Sequence, residues 1–210
     1  MTSFSKINSE AWNADERLAH LHDEQMRDRR ALDLLYRVGM ACQNMNSDRA
    51  IFDILLRELQ TVFALDSCYI ALCDLDRPNM FRTALLFDEG QIEYVEGTEF
   101  GPITERMIRE RIPLLIGDLN ELRSTLDQYP TTFGNTQKLS RAWMGVPLLL
   151  DEGALGVIAL QSYTPFQFTV DDHELLQRIG QVVAVALENA NLIQHQRNLS
   201  DELAVRVSAR

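Results

Sequence analysis

The end of the chain has few ways to fold, because from Thr169 to Arg210 it contains no proline. Leu175, Leu176, Ile179, Val182, Val183, Ala186, Leu187, Ala190 and Ile193 recur there in steps of three and four, the spacing of one helix face. Thr169-Val170-Asp171-Asp172 opens the stretch as a capping box, in which side-chain oxygens satisfy amides that the first turn leaves without partners. A helix running from there to Ser208 would be about 57 Å long, more than a core of this size can cover. Leu176, Ile179, Val183, Ala186, Ala190 and Ile193 therefore read as a seam against a second copy in a parallel dimer, and Leu199, Leu203 and Val207 continue beyond any sheet beneath.

A comparable helix is expected near the start. Between about Ala14 and Met45 there is no proline and one glycine, and Leu18, Leu21, Leu32, Leu35, Gly39 and Cys42 follow the narrow spacing of a coiled-coil seam. Leu32, Leu35 and Cys42 are its candidate dimer contacts. Asn46-Ser47-Asp48 then breaks the pattern and caps another helix, whose Ile51, Ile54, Leu55, Leu59, Val62 and Phe63 suit packing on a sheet.

The period changes in the middle of the chain. Ser67 to Cys73 is apolar and rich in strand formers, Phe81 to Phe87 alternates up to the turn Asp88-Glu89-Gly90, and Ile92 and Tyr94 continue as a third strand of an antiparallel meander. Gly101-Pro102 opens a short helix with proline where its missing N–H costs nothing, and Pro113 closes it before the brief strand Leu114 to Ile116. Leu119 to Ser140 is the least regular part and is expected to be a loop of the kind that covers binding sites. Ala142 to Leu150 and Ala154 to Tyr163 form a hairpin through Asp151-Glu152-Gly153.

These elements divide the chain into a tail (1–13), an N-terminal signalling helix (14–45), a core (46–170) and a C-terminal helix (171–210). A net charge of −11 argues against nucleic acid and anionic membranes, whose affinity comes from Lys and Arg, and Arg27-Asp28-Arg29-Arg30 lies in a mixed-sign run typical of a solvated helix face. The first residues lack a signal peptide's basic start and apolar run, and no stretch is apolar enough to span a membrane, so a cytoplasmic location is expected. Cys42, Cys68 and Cys73 are odd in number and without CxxC pairing, as expected of reduced structural thiols.

Around the last hairpin the residues resemble a known family. Arg141-Ala142-Trp143-Met144-Gly145-Val146-Pro147-Leu148, then Gly153 and Leu155-Gly156-Val157-Ile158-Ala159-Leu160, look like the GAF pattern R-S-W-L-x-V-P-L … G-x-x-x-G-V-(I/L)-x-L. Phe166-Gln167-Phe168-Thr169, Asp171-Asp172 and the stripe from Leu175 to Ala190 continue it, so that the likeness runs from about Ser47 to Leu192. It implies an α+β, PAS-like architecture: a six-stranded antiparallel sheet with helices on both faces, flanked by long coiled-coil-type terminal helices. It also implies a ligand pocket on the face opposite the paired terminal helices. Candidate liners are Phe87, Tyr94, Phe100, Ile116, Asp118, Tyr129, Phe133, Arg141 and Trp143, with core filling the alternative role for each aromatic. Pro147 is expected where β-ladder hydrogen bonds are missing, and Gly145 and Gly156 where a helix or ligand approaches the backbone.

The family's ligands can be tested against the residues. Bilin attachment needs a cysteine near the pocket, and Leu119 to Trp143 has neither cysteine nor histidine; haem needs an axial ligand, and His20, His22, His173 and His195 all fall on flanking helices, so both cofactors are disfavoured. The cyclic-nucleotide pattern is half missing: Asn135 and Lys138 are separated, and Phe168 is followed by Asp172-His173. A methionine sulfoxide reductase would need its thiols on the loop, where none lies. The expectation is a non-catalytic, homodimeric module that binds a small molecule or partner and relays the signal to an output domain in cis, such as a histidine kinase or nucleotide cyclase. The chain's end within a helical pattern suggests a fragment cut before that domain. A ligand-free structural dimeriser is the first alternative, and a free methionine sulfoxide reductase-type enzyme the second.

Overall fold

The structure is a computed structural model that describes residues 48–123 and 138–208 except 75, 78 and 152, with 21, 22, 25, 26, 29, 32, 33 and 36–40 before them; of residues 194, 195 and 197–208 it describes the backbone alone. Helix α1 is Asp48–Val62. The strands β1 (Ser67–Cys73), β2 (Met80–Asp88) and β3 (Gln91–Glu99) form the expected meander. Then come α2 (Pro102–Glu110), β4 (Leu114–Ile116), α3 (Leu119–Arg123), the hairpin β5 (Ala142–Leu150) and β6 (Gly153–Ser162), and α4 (Val170–Ser208). The six strands lie in the order β3-β2-β1-β6-β5-β4, each pair antiparallel.

Local chemistry explains the boundaries. Thr169 Oγ1 accepts the Asp172 N–H (3.1 Å) and Asp172 Oδ2 accepts the Thr169 N–H (2.9 Å), so the capping box forms as read. Pro102 stands at the first helical position of α2, and Arg111, in the left-handed region at φ 56°, ends that helix. Leu119, expected in a loop, instead begins the short helix α3 and is buried; residues 124–137 of that expected loop lie outside the described residues. Pro147 lies beyond the reach of β4, where β5 pairs with β6 alone, and its missing donor costs no ladder bond there.

Because side chains alternate across a strand, the sheet has two chemically distinct faces. On one, Cys68, Ile70, Leu72, Leu85, Met144, Val146, Leu148, Ile158 and Leu160 meet α1 and α4 in the main core. Gly180 lets α4 sit close on β5: a Cβ there would come 2.9 Å from Val146 Cγ2. The expected dimer seam is corrected by this packing, since Leu176, Ile179, Val183 and Ala186 are buried in the chain's own core. The broad apolar stripe of α4 exceeds what one seam needs because its first half covers β5. Of the seam, Ile193 is exposed and Ala190 half-buried. In the expected N-terminal helix, described residues from 21 to 40 are helical; Val38 is buried in the main core, and Arg37 pairs with Glu58 of α1 at 2.9 Å. Leu32 is exposed, while Leu35 and Cys42 lie outside the described residues.

Candidate functional site

The opposite face has a different composition. Ala71, Ala84 and Ala159 put only methyl groups on the sheet, and over them lie Ile103 and Met107 of α2, with Leu119, Phe81 and Trp143 completing a second, smaller core. Phe100 and Ile116 pack against it. The Phe81 and Phe100 rings meet at 4.4 Å between centroids, and Tyr69 lies 6.2 Å from Phe81. Within this apolar set one polar pair is built in: the Tyr69 hydroxyl is hydrogen-bonded to the buried Thr104 of α2.

At the rim of the same face, two residues beyond the last ladder pair Ile116↔Trp143 on each side, stand Asp118 and Arg141. Arg141 Nε donates to Asp118 Oδ1 (2.9 Å) and Nη2 to Oδ2 (2.5 Å), a two-point pair that raises the guanidinium's pKa and fixes its plane. The backbone joins the two residues as well, the Leu119 N–H donating to the Arg141 carbonyl at 2.6 Å. Asp118 Oδ1 also accepts the Asn120 N–H (3.0 Å), which tethers the pair to the start of α3.

Five of the nine candidate liners are thus brought to one side of the sheet: Phe100, Ile116, Trp143, Asp118 and Arg141. Phe87 and Tyr94 are corrected. Phe87 is buried in the main core beneath α1 and α4, and Tyr94 packs on that same core, its hydroxyl hydrogen-bonded to Asp53 of α1 and its ring 4.9 Å from the Arg49 guanidinium. Burial and the Asp53 bond push the Tyr94 phenol up to about 12. Alternation along β2 and β3 places these two rings together but does not say which face the long helices cover. Tyr129 and Phe133 lie outside the described residues.

Two glycine expectations are also corrected. Neither Gly145 nor Gly156 opens toward a helix or ligand: the Trp143 ring occupies the place of a Cβ at Gly145, and the Ala71 carbonyl oxygen that at Gly156. Trp143 is therefore core filling.

Sequence reasoning missed the Tyr69–Thr104 pair, although Tyr69 shares strand parity with Ala71 and Thr104 follows directly on Ile103. It also missed a polar cluster at the ends of β1, β2 and β6. Asp66 Oδ2 accepts from the Ser162 hydroxyl (2.7 Å) and the Tyr163 N–H (2.8 Å), the Tyr163 hydroxyl donates to the buried Asp88, and Lys138 pairs with Glu89. Burial, then the Asp88 bond, raises the Tyr163 pKa. The two described thiols are poor nucleophiles, because burial pushes Cys68 up to about 12 and Cys73 up to about 11. No group of acidic, histidine and cysteine side chains among the described residues is arranged to hold a metal ion.

The family model for the GAF domain matches residues 49–187. Curated relatives from two strains of Salmonella typhimurium, each named formate hydrogenlyase transcriptional activator, are 30% identical over 180 residues. That alignment takes in 80% of this chain and 25% of theirs, so the chain spans about a quarter of their length. Among solved structures, the GAF domain of an Acinetobacter phosphoenolpyruvate-protein phosphotransferase superposes with a TM-score of 0.60 at 16% identity, over 77% of this chain and 95% of that one. The free methionine-R-sulfoxide reductase of Neisseria meningitidis, solved with its substrate, gives 0.58 at 17% identity, over 78% and 91%. At such identities these two speak for the fold alone. The family match spans both faces of the sheet, α2 and the part of α4 that packs on β5, and the chain belongs to the GAF domain family.

Proposed function

We propose that this chain is the sensory module of a regulatory protein, taking a small molecule or partner on the α2 face and passing the event to an output domain through α4. One observation carries the reading: the two faces of one sheet are built for different tasks. The face under α1 and α4 is a large packed core of aliphatic and phenylalanine side chains, whereas the other carries a smaller core beneath α2 and Leu119 of α3 and holds a half-buried hydroxyl pair, Tyr69–Thr104, and a rim arginine oriented by a carboxylate. Small-ligand sites are commonly of that make-up, mostly apolar with a few fixed polar groups. The ligand site takes in Phe100, Ile116, Asp118, Arg141 and Trp143, with Tyr129 and Phe133 on the segment that follows α3.

The relay runs through α4, whose 39 residues would extend about 58 Å and outrun the sheet. Two copies would join along the parts of the helices that the core leaves uncovered, with Leu32, Ala190 and Ile193 as contacts and Leu35 and Cys42 on the same N-terminal stretch. Ligand binding shifts such a dimer only by favouring one helix arrangement over another. The output expected from sequence was a histidine kinase or cyclase; the Salmonella relatives, which are transcriptional activators, favour control of transcription instead. With no helix among the described residues long and apolar enough to cross a membrane, the module would act in the cytoplasm.

Native mass spectrometry with thermal shift against a metabolite panel tests the sensory reading. Saturable stabilisation by one compound, lost on Arg141→Gln or Thr104→Val, is the expected result. A dimer that answers to nothing would leave only the structural role. A reductase is the second reading, which the Neisseria neighbour also raises, and against it stand the buried thiol of Cys68 and the half-buried thiol of Cys73, both raised in pKa. Turnover of free methionine sulfoxide that vanishes when Cys42, Cys68 and Cys73 are replaced by Ser would reinstate it.

A further inference from the structure

Between the end of β6 and the cap of α4 runs a seven-residue connection, Tyr163 to Thr169, whose two ends are fixed in different ways. At the upstream end the Tyr163 N–H and the Ser162 hydroxyl both donate to Asp66, the Tyr163 hydroxyl donates to Asp88, and the Thr164 N–H donates to Ser162 Oγ (3.1 Å), so this end belongs to the sheet. Downstream, Phe168 is buried in the main core and Thr169 is locked into the capping box, so that end moves with α4. Midway stands Phe166, which breaks two rules at once. It is a non-glycine residue at φ 56°, and its ring is exposed.

Phe166 is held there by Gly117. Its N–H donates to the Gly117 carbonyl at 2.7 Å, and its ring covers the glycine so closely that a Cβ there would lie 2.5 Å from Phe166 Cδ1. Gly117 directly precedes Asp118, the partner of Arg141. A left-handed backbone on a large aromatic persists only where its surroundings impose it, and such outliers concentrate at switch points. We propose that the Gly117–Phe166 contact is the coupling element of this module: it transmits a change at the Asp118–Arg141 pair to the first turn of α4.

The asymmetry of the connection gives the direction. A shift of Asp118 moves Gly117, and with it the backbone of Phe166. Since Tyr163 is clamped to Asp66 and Asp88, the displacement has one free exit, through Phe168 to Thr169. There the Asp172 N–H, bonded to Thr169 Oγ1, and the His173 N–H, bonded to the Thr169 carbonyl at 3.1 Å, register any loosening of the cap. Phe166 and Gly117 are positioning residues in this scheme. The inference rests on the sensory reading of the α2 face, but its test needs no ligand.

Amide hydrogen exchange on the full chain measures the coupling as a cycle. Arg141→Gln releases Asp118, and Phe166→Asn removes the ring while keeping a residue that tolerates the left-handed backbone. With Phe166 present, Arg141→Gln should speed exchange at Asp172 and His173 about five-fold, within the range of measured couplings, and in the Phe166→Asn background less than about two-fold. Exchange at Val157 and Ile158 of β6 monitors global opening, and rates at α4 are compared after normalising to it. Equal acceleration in both backgrounds would overturn the proposal, as would no acceleration with Phe166 in place. Metabolite titration is a separate measurement, so the coupling can fail while the sensory reading survives, and the reverse.

Discussion

The two faces of this sheet share a backbone and differ in what covers them. Beneath α1 and α4 the strands carry Ile70, Leu72, Leu85, Val146, Leu148, Ile158 and Leu160, side chains large enough to interlock with two helices. Beneath α2 they carry the mostly smaller Ala71, Ala84, Val157 and Ala159, over which Ile103, Met107, Phe81 and Trp143 pack. A packed aliphatic face holds a fold together and changes little. On the α2 face Met107 is the side chain that repacks most readily.

Truncation on the two faces measures this difference most directly. Leu176→Ala removes a fully buried side chain from the α4–β5 contact and should cost about 4 kcal/mol of unfolding free energy, whereas Met107→Ala, equally buried, should cost about 2 kcal/mol because its surroundings can close over the gap. Urea denaturation gives both values, and equal costs would end the distinction. Gly145→Ala tests whether the α2 face is already full. The new methyl meets the Trp143 ring, so a loss of about 2 kcal/mol is expected, while near-neutral behaviour would mean that Trp143 has room to swing.

Smaller effects sharpen the picture at the margins. Arg141→Gln breaks a half-exposed ion pair and should lower stability by about 1 kcal/mol or less, an effect on ligand response being expected to exceed the effect on folding. His173 lies at the start of α4, its Nε2 buried without a hydrogen-bond partner among the described residues. Burial pushes its pKa below the ordinary 6.5, with Glu174 and the Gly145 backbone pulling the other way. The neutral form is favoured in the fold, so this contribution is fully present above pH 6.5 and is lost as the pH falls through the lowered folded value. Thermal unfolding from pH 7.5 to 5 should show that loss, and His173→Gln should flatten it.

Much of the fold was legible because its signals are local. Thr169 and Asp172, Pro102 at the head of α2, and the turns at Gly90 and Gly153 each act within four residues, and each stands where the pattern placed it. Candidate liners were legible by halves. Asp118 and Arg141, two residues beyond the pairing of Ile116 with Trp143, meet on one side of the sheet, but Phe87 and Tyr94 lie on the far side. The stripe of α4 by its spacing reads as a dimer seam through Leu176, Ile179, Val183 and Ala186, yet those residues are interior. Periodicity marks which side of a helix is apolar and is silent on whether a sheet or a second copy meets it.

Sequence alone therefore determined what neighbouring residues decide among themselves: helix starts, strand alternation, hairpins, and a family pattern written in runs of adjacent residues. Only the tertiary structure decided which sheet face α1 and α4 cover, that Trp143 and the Ala71 carbonyl occupy the spaces left by Gly145 and Gly156, and that Phe166 leans on Gly117 across 49 positions. The reason is physical. Caps and turns depend on bonds that close within one turn of chain, whereas the choice of face and the filling of a gap depend on side chains that meet only after the sheet has assembled.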